Sequence, residues 1–141
     1  MSAAGRFMAG MILIAVPTIE LGGLFLLTLL IDRDSGYTAN ALRQNFFRAG
    51  HAHAGVITLL SLLCQILADA AWLHRGFEWL VRAGVPLAGI LLSAGFVTAM
   101  LPPGAETPGP TIALVYTGAV LLAMSVLTLG IGLMWKEPAT G

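Results

Sequence analysis

Two features of this sequence have residue types that could do chemistry: a glutamate in the middle of a long apolar run, and two histidines one residue apart. Glu20 lies within Met8 to Ile31, flanked by Pro17, Thr18, Gly22 and Gly23. An ionisable group at mid-span is costly in hydrocarbon, so it is a candidate proton carrier, acid/base catalyst or second ligand. Its plain alternative is a protonated carboxyl bonded to a neighbouring helix. The histidines sit in Phe46-Phe47-Arg48-Ala49-Gly50-His51-Ala52-His53-Ala54-Gly55, among small residues that leave room for a bulky group. Neutral imidazole ligates haem iron, copper and zinc, which makes His51 and His53 candidate metal ligands. Their plain alternative is a pair of interfacial side chains wetted by headgroup water.

Spacing limits what the pair can do. Residues two apart on a helix point about 200° apart, so both rings grip one ion only if the backbone leaves helical form. His51, Gly55, Thr58, Leu62, Gln65 and Asp69 recur at steps of four and three and collect most of the polar side chains of their run. That stripe is expected to face other helices. His53 shares its face with Leu60, Cys64 and Leu67, a more apolar surface expected to meet lipid, a flat cofactor or another subunit. If the second helix starts near Asn40, antiparallel pairing puts residue 51 level with residue 20, about 16 Å in from the helix ends. Glu20 and His51 then form one buried polar site, and are the candidate catalytic pair. His74 lies at the opposite membrane face. A second axial ligand for haem has to come from Met100, Met124, a symmetry mate or an open position. Arg48, with Arg43, is placed to snorkel or to pair with an acidic cofactor group. No Cys-x-x-Cys-His run exists, which excludes covalent haem c.

The elements that must position these groups follow from composition. Of 141 residues, 57% are hydrophobic and only 10% are charged, a balance that belongs in lipid. Four runs predict helices over about 8–31, 40–73, 80–101 and 110–135, each near the ~20 residues that cross a ~30 Å hydrocarbon core. Lipid cannot satisfy backbone polar groups, and the runs lack strand alternation, so the expected fold is all-α: an antiparallel bundle of four transmembrane helices. The run 38–48 reads either as an interfacial helix or as the first turns of the second span. Pro102 to Pro110 reads as a stiff, extended link. Trp72, Phe77 and Trp79 read as an aromatic belt, with Trp135-Lys136 as a further interface anchor. Zero net charge offers no field to recruit nucleic acid. Four cations on the side of the chain ends against three on the other favour cytoplasmic termini. Cys64, the single cysteine, reads as a small buried hydrophobe.

The run Phe47-Arg48-Ala49-Gly50-His51-Ala52-His53-Ala54-Gly55-Val56, following a first span with a mid-helix Glu20, resembles a group of small bacterial four-span membrane proteins. That group is distantly similar to the haem-binding half of haem-copper oxidase large subunits and to hydroxylaminobenzene mutase. The resemblance implies a bacterial inner-membrane protein in which His51 and His53 bind haem b or a transition metal. It does not extend to the later-helix histidines of an oxidase, which this sequence lacks.

Three readings follow. The first is a small membrane haem- or metal-binding redox protein using His51 and His53 with Glu20, with Met124 and Arg48 as further cofactor contacts. The second is a non-catalytic subunit of a larger membrane complex or a homo-oligomer. The third is a cofactor-free isomerase or mutase that uses Glu20 and His51 as acid and base.

Overall fold

Within hydrocarbon each backbone must bond to itself, and the four apolar runs do so as helices. The computed structural model describes residues 1–135. Helix α1 spans Ala3–Ile31, α2 Ala41–Ala68, α3 Arg75–Ala99 and α4 Ala113–Met134. All four are long and apolar enough to cross a membrane, and among the described residues there is no strand. The chain is thus an all-α, multi-pass membrane protein with the architecture of an antiparallel four-helix bundle. Lys136, expected to anchor the last span, lies outside the described residues.

Capping chemistry fixes the helix starts. The side chains of Ser2, Asn40 and His74 accept from the backbone N–H groups of Gly5, Arg43 and Gly76 at 3.0, 2.9 and 3.3 Å. Asn40 as the cap makes 41–48 the first turns of the second span, not a separate interfacial helix. Gly36, at φ +67°, provides the left-handed residue in the turn before it. The second span ends at Ala68, earlier than the expected 73, because the chain turns there and Trp72 N–H bonds to Gly132 O of α4 at 2.9 Å.

The helices lie side by side in chain order. α2 packs on α1 and α3, and α3 packs on α2 and α4. Among the described residues, α1 and α4 nowhere come within 8 Å between Cα atoms, so the bundle is open along that seam. Glycines set the closest approach. A Cβ added at Gly95 would stand 2.8 Å from the Val115 backbone nitrogen, and one at Gly118 would stand 3.0 Å from that of Leu92. Gly89 makes room instead for a side chain, that of Ile57 on α2, whose Cγ2 would stand 3.0 Å from an added Cβ. These close approaches, backbone on backbone at Gly95 and Gly118, are the small-residue packing that holds helices together where lipid supplies no hydrophobic drive.

Proline accounts for one polar contact in the core. Pro86 has no N–H, so the carbonyl four residues before it, on Arg82, lacks its helical donor. The Gln65 side-chain amide supplies one at 3.0 Å. At the end of the bundle that carries the start of α1, the Arg82 side chain, 1% exposed, pairs with Asp69 and with Glu78 and also donates to Gln65 O and the Ser2 hydroxyl. At the other end, buried Arg43 donates to the carbonyls of Met100 and Leu101 at 3.1 and 3.2 Å, capping the C-terminus of α3. Its guanidinium lies 5.0 Å from the centre of the Phe47 ring.

Asp69, just past α2, gives a pH prediction. Hydrogen bonds from the Ser2 side chain and backbone, and contact with the Arg82 guanidinium, outweigh partial burial and lower its carboxyl from 3.8 to about 2. A carboxyl with a depressed folded value stabilises the fold above its unfolded value, and that contribution is lost as pH falls through the folded one. The thermal midpoint in detergent should therefore drop between about pH 4 and pH 2. Asp69→Asn should start lower at neutral pH and flatten that part of the profile; a profile identical to the parent's would refute the assignment.

Candidate functional site

Helix α2 is wrapped on two sides. Its exposed arc is Ala52, Val56, Leu59, Leu63 and Ile66, and the remaining half of its circumference is covered by α1 and α3. Thr58 and Gln65 lie within the covered half, as their stripe predicts, with Gln65 completely buried. His51, on the same stripe, turns to α1. Its ring rests on Gly22 and Gly23: a Cβ at Gly23 would stand 3.2 Å from His51 Cε1, and one at Gly22 3.7 Å from Nδ1. Position 51 thus pairs with 22–23, two or three residues from the expected 20.

His53 departs from expectation. It was placed on a face toward lipid, cofactor or another subunit, but it packs on α3, its ring 5.2 Å from that of Phe96. The covered arc of α2 is wide enough to take in both histidines, and the 200° between them sends one ring to each neighbour. His53 Nδ1 lies 2.7 Å from Ala49 O, so this nitrogen carries the proton and donates to the preceding turn. Cys64, on the same face, is buried in the core with Ile57, Val81 and Val85. The two imidazoles therefore do not converge on a common point.

Glu20 is the second correction. Its side chain is exposed and does not join His51 in a buried site. It lies on the flank of the α1–α2 seam, about 160° around the helix from Gly22 and about 60° from Gly23 at 100° per residue. α1 is apolar on nearly all sides, so no polar stripe set its rotation in advance. His74 caps α3 at the far end of the bundle, as expected.

What His51 does face is a cavity of about 400 Å³ between α1, α2 and α3. Its walls include Thr18 and Gly22 from α1, Thr58 from α2, and Ser93 and Val97 from α3; exposed Phe25 and Ile90 form a rim. α1 and α3 touch only slightly, so the cavity opens sideways, toward hydrocarbon in a membrane. Among the described residues no Asp, Glu, Lys or Arg side chain lines it. The size suits a small organic ligand, and the lining is that of a ligand pocket, mostly apolar with a few polar groups.

The remaining candidates lie elsewhere. Met124 is on α4, half exposed, and α4 contributes nothing to the cavity. Met100 is buried with Tyr37 and Phe47 at the end of α3. Arg48 is exposed and bonds to Gln44 at 3.2 Å. Among the described residues, no three His, Cys, Asp or Glu side chains are grouped to hold a metal ion. Tested on these donors, a haem or transition metal in the cavity finds one imidazole, His51, and neutral hydroxyls. The residues do not fit a group requiring two strong protein ligands, nor one whose carboxylates need a cation at the wall.

Sequence reasoning missed Ser93 and the Arg82 cluster. For the cluster the signals were present, Glu78 and Arg82 at i,i+4 and a proline four residues beyond Arg82; for Ser93 there was none. Compared with protein-family models, curated proteins and solved structures, the chain matches none.

Proposed function

We propose that this protein binds a small, uncharged, mainly apolar molecule taken laterally from the bilayer, with His51 as its principal polar contact. The observation that carries this reading is the position of the His51 ring: hydrogen-bonded to no described residue, it lines a membrane-level cavity between three helices on which no described Asp, Glu, Lys or Arg side chain lies. Neutral imidazole offers one donor and one acceptor, so the ring can orient a hydroxyl or carbonyl or exchange a proton with it. A metal or haem reading retains His51 as its single ligand and would add electron transfer; absorbance and metal content of the purified protein decide it. The outward carboxyl of Glu20 supports a contact between α1 and another subunit, either a second copy or a partner chain, because an unpaired carboxyl at mid-span is costly in lipid. The bacterial inner membrane, with cytoplasmic termini, is the location proposed from cation placement and the motif.

The test is binding of 2-naphthol to protein in nanodiscs, with empty nanodiscs as background. His51→Ala should weaken binding roughly tenfold, the equivalent of one good hydrogen bond. Gly23→Val should also weaken it, because the new side chain takes the space of the His51 ring. Binding to the parent protein no greater than to empty nanodiscs would overturn the reading.

A further inference from the structure

Hydroxyls inside membrane helices normally bond back to the preceding turn, and this chain follows the rule at Thr18, Thr28, Ser61, Thr98, Thr117, Ser125 and Thr128. Within the four helices Ser93 and Thr58 make no side-chain hydrogen bond to any described residue, and both line the His51 cavity. Ser93 Oγ is fully buried as well as unpartnered. An unmade hydrogen bond at such a site costs stability, since a serine can recover it by back-bonding and this one does not. Ser93 also lies at the depth of His51, because neighbouring Gly50 meets the Ser93 carbonyl, with 3.0 Å from an added Cβ.

Resting on the proposed cavity function, we infer that the ligand is held at two points, by His51 on α2 and by the Ser93 hydroxyl on α3, and is an uncharged ring compound with two carbonyl or hydroxyl oxygens. Neither anchor carries a permanent charge, and among the described residues no Lys or Arg faces the cavity, so a carboxylate or phosphate head has no fixed cation to pair with there. A plain hydrocarbon would leave Ser93 unsatisfied. Two oxygens on a flat apolar frame satisfy both walls at once. Thr58, deeper on α2, lies beside the apolar end of such a ligand and is not required for its head.

The experiment compares 2-methyl-1,4-naphthoquinone with 2-methylnaphthalene, which has the same frame without the oxygens, for binding to nanodisc-embedded protein. The parent should favour the quinone over the hydrocarbon by at least tenfold beyond their difference in partitioning into empty nanodiscs. Ser93→Ala should cost the quinone roughly five- to tenfold and leave the hydrocarbon unchanged, and Ser93→Thr should restore most of the loss. Equal preference for both probes, or a Ser93→Ala effect on both alike, would overturn two-point recognition. In that case 2-naphthol binding sensitive to His51 would still uphold the cavity function. Failure of all three probes would overturn both.

Discussion

Arg82→Ala should destabilise the protein by about 3 kcal/mol, read as a fall in the detergent thermal midpoint. The guanidinium is the hub of one end of the bundle. It ties Asp69 after α2, Glu78 on α3, the Gln65 carbonyl and the Ser2 hydroxyl before α1. Removing it leaves two carboxylates facing each other and an unfilled space in the core. Both carboxylates keep some access to water, at 21% and 32% exposure, which holds the loss toward the lower end of that for a fully buried pair. Lysine at this position should recover only part of the loss, because it cannot present forked donors to four partners. Replacing the cluster together, Asp69→Asn with Glu78→Gln and Arg82→Met, should cost less than Arg82→Ala alone, since no charge is then left without a partner. If Arg82→Ala is neutral, the cluster is a solvated surface feature and the packing of α1 does not depend on it.

Gly95→Leu and Gly118→Leu should each cost about 3 kcal/mol or more and should separate α3 from α4. Flexible side chains can move out of the way of a new methyl group, but here the obstacle is backbone. At Gly95 an added Cβ would meet the Val115 nitrogen and Cγ2, both at 2.8 Å; at Gly118 it would meet the Leu92 nitrogen at 3.0 Å and the Ala88 carbonyl oxygen at 3.1 Å. Either helix has to shift along most of its length to relieve such a contact. Gly10 provides the control, since nothing lies within 4 Å of a Cβ built there, and Gly10→Leu should be nearly neutral. Cysteine pairs placed across the α3–α4 seam would report separation directly, by reduced crosslinking in the Gly95 and Gly118 variants and unchanged crosslinking in the Gly10 variant.

The sequence by itself determined the number of spans, the helical class and the polar, inward stripe of α2, and it left two possible starts for α2, of which the structure takes the one at Asn40. Each of the three follows from a local rule: the length of apolar runs, the backbone's need to bond to itself, and a stripe of polar residues that hydrocarbon would not tolerate. It also placed His51 at the depth of Glu20, two or three residues from the glycines that it meets, because antiparallel pairing of known lengths fixes depth to within a turn. Tertiary structure decided rotation and neighbours. α1 is apolar around most of its surface, and lipid is as apolar as a protein interior, so nothing local could say whether Glu20 faces inward. The Glu20 side chain is exposed, on the flank of the seam where His51 meets Gly22 and Gly23. Likewise one helix pattern could not reveal that α2 has two covering partners, which is why His53 meets Phe96, and why Ser93, inconspicuous as a lone serine, becomes an unpaired donor at the wall of a cavity. Periodicity records which side of a helix avoids lipid; which helix covers that side, and what space is left between them, is set by close packing among residues far apart in the chain.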